Sequence, residues 1–321
     1  MNFDSFCRDA GLMPRDVQAD GKWWRCPTES HPRKRNGSYK LAADGLIGWA
    51  MDYAVHSKPL TWRPDREYRV PVVDHAAIAK RRSEERRALV RATQAAREFY
   101  LSCTPLRDGH PYLKAHDVSM AGCRGLKIDQ QGWLVVPVLL DGRLISVQRI
   151  DAAGEKRFWP GAPVKAGSYA LERLGARITV LCEGLATGLV IFAAAPMTRI
   201  VVSFNSGNLG RVAMPRRGLV VVAADNDHAT AERTGTNPGL VAATAAAEVL
   251  GCGVAVPADL MGSDWSDWRQ ERIQARLANR GKMERESDIR RAVDAEIAAA
   301  MSRNAVYLRG ANVKRYSLER G

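Results

Sequence analysis

Arg177-Ile178-Thr179-Val180-Leu181-Cys182-Glu183-Gly184 sets the architecture of this chain. A run rich in Ile, Val and Leu, closed by a carboxylate and a glycine, reads as a buried strand. Gly218-Leu219-Val220-Val221-Val222-Ala223 repeats the pattern and leads into the acidic cluster Asp225-Asn226-Asp227. Around these two runs the periodicity predicts a helix over 186–195, a strand over 199–204, a helix over 238–250 and a strand over 253–257. Alternating strands and helices of this length imply a parallel sheet with helices on its faces. Ligands of such sheets gather beyond the carboxyl ends of the strands. Glu183, Asp225 and Asp227 are therefore expected at one edge. Hard oxygen ligands of this kind hold Mg²⁺, or Mn²⁺, and bridge it to phosphates. Phosphoryl-transfer chemistry is the leading implication.

The chain has 321 residues, 46% of them hydrophobic, enough for two domains with real cores. A formal net charge of +13 favours a polyanionic partner, nucleic acid before membrane. The six cysteines, at 7, 26, 103, 123, 182 and 252, form no CxxC pair. A zinc ribbon is thus unsupported and no zinc is expected. Scattered thiols suit a reducing cytoplasm. Asp4, Arg8 and Asp9 interrupt any signal-peptide start, and the longest apolar stretch, 184–197, is too short to span a membrane.

Outward from the sheet, five segments are expected: 1–73, 74–102, 103–176, 177–262 and 263–321. In 1–73, Trp23, Trp24, Tyr39, Trp49, Tyr53 and Trp62 interleave with the basic run Arg33, Lys34 and Arg35. Aromatic and basic residues together bind single strands by stacking and phosphate contact. The tryptophans read equally as the core of a small α+β domain. Residues 74–102 read as one charged helix connecting domains. In 103–176, Asp141-Gly142 between two apolar runs signals a β-hairpin, continued by Lys156–Phe158. Arg149, Lys156 and Arg157 then lie on adjoining strands, and we expect them to form a basic ridge facing the acids; a solvated hairpin face is the alternative. Charged helical segments fill 263–303, and a basic stretch runs from Val313 to Gly321. His75, His110, His116 and His228 have no ligand spacing and read as surface or local hydrogen-bonding residues.

Cys182-Glu183-Gly184-Leu185-Ala186-Thr187-Gly188, then Asn205-Ser206-Gly207-Asn208, then Asp225-Asn226-Asp227 and Asp264-Trp265-Ser266-Asp267 resemble, in that order, a TOPRIM domain. The variant is similar to that of DnaG-like primases of phages and plasmids. Pro111-Tyr112-Leu113, Gln148-Arg149-Ile150 and Gly154-Glu155-Lys156-Arg157-Phe158 are similar to the segment preceding it there, so the resemblance covers about residues 100–268. It implies a TOPRIM-type parallel sheet flanked by helices. It also implies that Glu183 binds metal or serves as general acid/base, that Asp225 and Asp227 bind Mg²⁺, and that Asp264 and Asp267 complete the acidic patch. The implied activity is nucleotidyl transfer, with short RNA primers made from ribonucleoside triphosphates on single-stranded DNA. Arg149, Lys156, Arg157, Arg33, Lys34, Arg35, Asn205 and Asn208 are the candidate nucleotide and nucleic-acid contacts.

Two departures stand out. The N-terminal zinc ribbon of many bacterial primases has no counterpart in the cysteines, and Thr187 stands where relatives often carry an aspartate. Without a Walker A sequence, unwinding falls to a partner such as a replicative helicase. A TOPRIM nuclease and a non-catalytic, nucleic-acid-binding replication accessory are the competing readings. A topoisomerase would need a nucleophilic tyrosine in a separate domain, of which there is no sign.

Overall fold

The computed structural model describes residues 1–56, 58–64, 75–107, 109–117, 124–214, 218–257, 262–280 and 284–308. Cys123 and the basic stretch from Val313 to Gly321 lie outside them. The chain divides into two compact units, Met1–Arg87 and Ala88–Gly321. Among the described residues, no helix is long and apolar enough to cross a membrane.

In the first unit, helix α1 (Phe3–Asp9) starts where the Asn2 side chain accepts the Ser5 N–H. It lies on an antiparallel sheet of β1 (Trp24–Cys26), β2 (Gly37–Leu41), β3 (Gly48–Asp52) and β4 (Leu60–Trp62) in sequential order. Gly48 is a glycine because Phe3 fills the space above it: a Cβ there would stand 2.2 Å from the Phe3 ring. Phe3, Leu12, Tyr39, Leu41 and Trp62 form the core. The tryptophans are divided between the two expected roles. Trp62 is buried, Trp24 and Trp49 are half-buried, and Trp23 is 49% exposed. Cys7 and Cys26 sit in this core, where burial pushes the Cys7 thiol up to about 12. Helix α2 (His75–Ser102) is the long charged helix that was expected, and Arg81 on it pairs with buried Asp20.

The second unit holds two sheets. The first is antiparallel: β5 (Thr104–Pro105), β6 (Lys127–Ile128), β7 (Leu134–Leu140), β8 (Arg143–Ile150) and β9 (Lys156–Phe158), again in sequential order. Helix α3 (Pro111–Ala115), capped by the His110 side chain, lies between β5 and β6 in the chain. Asp141 and Gly142 both take positive φ, 49° and 74°, as a two-residue hairpin requires.

The second sheet carries β10 (Tyr169–Leu171), β11 (Ile178–Cys182), β12 (Thr198–Val202), β13 (Gly218–Ala223) and β14 (Gly253–Ala255). Helix α4 (Leu185–Ala194) follows β11, and α5 (His228–Thr234) and α6 (Pro238–Leu250) follow β13. Then come α7 (Trp265–Ala278), α8 (Glu286–Asn304) and β15 (Val306–Leu308). The strand order is β10-β12-β11-β13-β14, with β15 also beside β13. β12, β11, β13 and β14 run parallel, while β10 and β15 join antiparallel. The parallel sheet flanked by helices is thus present, with antiparallel strands added at its flanks.

Strand alternation sorts the core. Val180, Cys182, Ile200, Val202, Val221 and Ala223 pack with α4, α7 and α8, whereas Leu181, Val201 and Val222 pack with α6. Each fully buried aliphatic side chain contributes about 2 kcal/mol. Gly188 lets α4 close on the sheet, since a Cβ there would meet Val202, Ile200 and Cys182 at 3.0, 3.1 and 3.2 Å. Gly184 has no such neighbour and serves as the N-cap of α4.

Candidate metal and nucleotide site at the ends of the parallel strands

The register that pairs Cys182 with both Val202 and Ala223 makes β11, β12 and β13 end level. The next residues therefore emerge at one edge. Glu183 follows the central strand; its carbonyl accepts the Phe204 N–H at 2.9 Å and its carboxylate accepts the Ser206 N–H. Asp225 follows β13 by way of Ala224, whose N–H bonds to Ala255 of β14 at 2.9 Å. Asp227 heads α5 and accepts the Gly239 N–H at 2.9 Å. Asp264 caps α7, its Oδ1 accepting the N–H groups of Ser266 and Asp267 at 2.7 and 2.9 Å. Asp267 accepts the Ser263 hydroxyl at 2.8 Å.

These carboxylates stand in one field. Burial first, then Asp264, Glu183 and Asp227, pushes Asp225 up to about 8. Burial and Asp267 raise Asp264, against its two backbone bonds. Burial and Asp227 raise Glu183, opposed by Ser206 and Lys156. Oδ1 of Asp225 is buried without a hydrogen-bond partner among the described residues. A buried carboxylate oxygen facing other acids is costly unless a cation compensates it. The donor set is all oxygen, which suits Mg²⁺ or Mn²⁺. Among the described residues, no three acidic, His or Cys side chains already close into a metal cage. Mg²⁺ keeps several waters and takes few protein ligands.

Of the three expected ridge residues, one faces the acids. Arg149 pairs with Arg157 across β8 and β9, while Lys156 pairs with Ile150. Directly opposed residues share a face and neighbours alternate, so Lys156 points the other way from the two arginines. Lys156 lowers both Glu183 and Asp225 electrostatically, and its Nζ lies 5.9 Å from the Tyr112 ring. Arg149 is bound to Asp129 at 2.6 Å and Gln131 at 2.7 Å, and stacks on Trp133 and Phe99. Arg157 pairs with Glu155 at 2.9 Å and lies over Trp133. The expected three-residue ridge is thus corrected to Lys156 alone.

Asn208 is part of the framework. It is buried, its Nδ2 donates to the carbonyls of Gly167, Ser203 and Val164, and its Oδ1 accepts the Ala166 N–H. Both of its amide hydrogens are committed to backbone carbonyls. Asn205 is half-buried and opens the short helical turn Ser206–Arg211. Thr187 is buried in the first turn of α4, with no partner for its hydroxyl among the described residues.

Sequence reasoning missed His116, which was read as a local residue. Its Nδ1 lies 2.7 Å from the Ser266 hydroxyl, between Asp264 and Asp267 in the chain, and both acids act on its ring. No spacing signal marks a contact between residues 150 positions apart. In the first unit, Arg33, Lys34 and Arg35 are exposed, and Arg35 donates to the Arg25 carbonyl at 3.1 Å. The strand register puts Arg25, Ser38, Lys40, Trp49, Met51 and Thr61 on the sheet face opposite the core. On that face Lys40 lies over Trp49 at 5.2 Å, and Arg25 over Tyr53 at 4.3 Å.

Comparison with known proteins agrees with this architecture. Residues 178–275, which hold the parallel strands and the acidic edge, match the Toprim domain family. The chain is also 28% identical over 259 residues to DNA primase TraC of Escherichia coli; the match takes in 72% of this chain and 17% of TraC. It thus spans about a sixth of that relative's length. Among solved structures, the primase fragment of the bacteriophage T7 primase-helicase protein shares 13% identity and a TM-score of 0.38, covering 80% of this chain and 98% of that one. A chain from the T7 lagging-strand DNA polymerase assembly with primase domains, an RNA/DNA hybrid and dTTP shares 15% identity and a TM-score of 0.37, covering 62% and 91%. The likeness to Toprim-domain primases carried by the sequence motifs is the one found again in these comparisons.

The state of Asp225 has a pH consequence. In the metal-free folded protein it keeps its proton up to about 8, whereas in the unfolded chain a carboxyl loses it near about 4. Between those limits the native state binds the extra proton, so stability falls as pH rises. Asp225→Asn cannot ionise. In chelator at about pH 8 we expect it to melt several degrees above the wild type, with the gap closing at about pH 5. Mg²⁺ should raise the wild-type melting temperature at the higher pH more than the variant's. Equal melting of the two proteins in chelator at the higher pH would contradict the uncompensated burial.

Proposed function

We propose that this protein is a DNA primase that makes short RNA primers on single-stranded DNA by Mg²⁺-dependent nucleotidyl transfer. The observation that carries this reading is the orphaned, buried Asp225 oxygen among the carboxylates of a Toprim domain. The similarity to TraC over most of this chain supports the substrate class. Asp225, Asp227 and Asp264 would hold the divalent ion, with Asp267 and Glu183 completing its surroundings. When bound, the ion supplies charge for the triphosphate and acidifies the attacking 3′-hydroxyl.

The chain's own residues do the rest. Glu183, at the end of the central strand and raised above an ordinary carboxylate, takes the 3′-hydroxyl proton as general base. Lys156 faces the same acids and orients the phosphates. The α-phosphate gains a bond to the 3′ oxygen and loses its bond to the leaving pyrophosphate. In the first unit, the outer sheet face with Trp49, Tyr53, Arg25 and Lys40, together with Arg33, Lys34 and Arg35, suits a template strand. Its rings would stack on bases and its cations would track phosphates. A replicative helicase is the natural partner of such an enzyme.

Primer synthesis with ribonucleoside triphosphates and Mg²⁺ on single-stranded DNA tests the reading. Glu183→Gln should cut incorporation by about 10²-fold or more while the protein stays folded. Wild-type priming by the folded variant, or cleavage of the DNA in place of primer synthesis, would refute it.

The template face has its own test. Trp49→Ala and Tyr53→Ala should each weaken binding of an oligo(dT) strand by about 1–3 kcal/mol. Replacing Arg33, Lys34 and Arg35 by alanine should flatten the salt dependence of that binding. Unchanged affinity and an unchanged salt slope would remove the first unit from template recognition.

A further inference from the structure

Three consecutive residues at the end of α3 each bond to the first turns of α7. The Ala115 carbonyl accepts from Gln270 Nε2 at 2.8 Å, His116 Nδ1 meets Ser266 Oγ at 2.7 Å, and Asp117 pairs with Arg269 at 2.8 Å. Arg269 is only 7% exposed, and it also holds Asp294 of α8 at 2.6 Å. Asp117 takes a φ of 52°, uncommon for a residue other than glycine, and the arginine pairing holds it there. This seam is anchored on the helix that Asp264 caps and Asp267 begins. It fixes the His116 ring edge-on to Tyr112 at 4.6 Å, and Lys156 Nζ lies 5.9 Å from the centroid of the same tyrosine ring.

Ion pairing and backbone bonding on either side of one histidine are more than its packing needs. Nδ1 is committed to Ser266, whose side chain is fully buried. Nε2 has no partner among the described residues. In the tautomer in which the Ser266 hydroxyl donates to Nδ1, the ring carries its hydrogen on Nε2 and offers a donor within the field of Asp264 and Asp267. A nucleoside triphosphate brings more phosphoryl oxygens to such a site than one ion and Lys156 can satisfy.

We propose that His116 is a further substrate-contacting residue of this site, its Nε2 donating to the triphosphate of the incoming nucleotide while Ser266 and the Asp117–Arg269 pair hold it in place. The proposal rests on the primase reading and adds a contact to it.

Binding of a fluorescent ATP analogue to the full chain in Mn²⁺ tests the contact without requiring primer synthesis. In His116→Asn the amide oxygen takes the place of Nδ1 and accepts the Ser266 hydroxyl, so that bond is kept and the outward donor is lost. In His116→Gln the amide reaches the place of Nε2, so the outward donor is kept. We expect about ten-fold weaker binding in the Asn variant, the worth of one hydrogen bond to a charged group. Most of the affinity should return in the Gln variant, with both proteins melting as the wild type does. The reverse order, Asn binding as wild type and Gln weak, would show that the Ser266 bond alone matters and would overturn the proposal. Loss of binding in Lys156→Ala with none in His116→Asn would also overturn it while leaving the primase reading intact. A wild type that binds no ATP analogue in Mn²⁺ would overturn both.

Discussion

Charge held at the level ends of three parallel strands governs this structure. β11, β12 and β13 finish in register, so the chain must turn out of the sheet at one place, and it does so with Glu183 and Asp225. The strands behind them are closed on both faces by aliphatic packing, and Oδ1 of Asp225 is withdrawn from water at their edge. Like charges so placed either keep protons or share a cation. The rise of Asp225 to about 8 and its unpartnered Oδ1 are the two signs of that unresolved charge. On the primase reading a divalent ion resolves it and brings phosphates with it, and the rest of the second unit is arranged around that edge.

The antiparallel sheet contributes through one side chain and a turn. Lys156 reaches the acids because it lies on the face of β9 opposite Arg157. Phe158, on the same face as Lys156, meets Phe204 at 6.0 Å beside the Glu183 turn. The α7 helix contributes from the other direction, with Asp264 as its cap and Arg269 buried between Asp117 and Asp294. Arg269 is the buried member of this network, and removing its acid partners leaves its charge uncompensated. The position of Asp264 therefore depends on a part of α7 that never touches the acids.

Much of this was legible in the sequence. The apolar runs before Glu183 and Asp225, the Asp141-Gly142 hairpin and the helix Pro238–Leu250 carry strong local signals, and each formed as expected. Glu183, Asp225 and Asp227 were marked by their position after buried strands, and Asp264 and Asp267 by resemblance to a family. What was not legible depends on which side of an element a residue takes. Arg149, Lys156 and Arg157 were grouped because they share a sheet, yet alternation splits them, and only the cross-strand register shows how. Asn208 looked like a polar loop residue, but its amide is consumed by three backbone carbonyls and one N–H. His116 is brought to the acids by tertiary contacts with α7, which leave no spacing in the chain to read.

A cation held by Asp225, Asp227 and Asp264, beside Glu183, is the central claim, and crystals soaked in Mn²⁺ with a ribonucleoside triphosphate test it most directly. Anomalous density should lie within about 2.5 Å of Asp225 Oδ1, a hard-cation distance. It should be shared with at least one neighbouring carboxylate and a phosphate oxygen. Nucleotide bound elsewhere on the chain, with no anomalous density among these four carboxylates, would contradict the account.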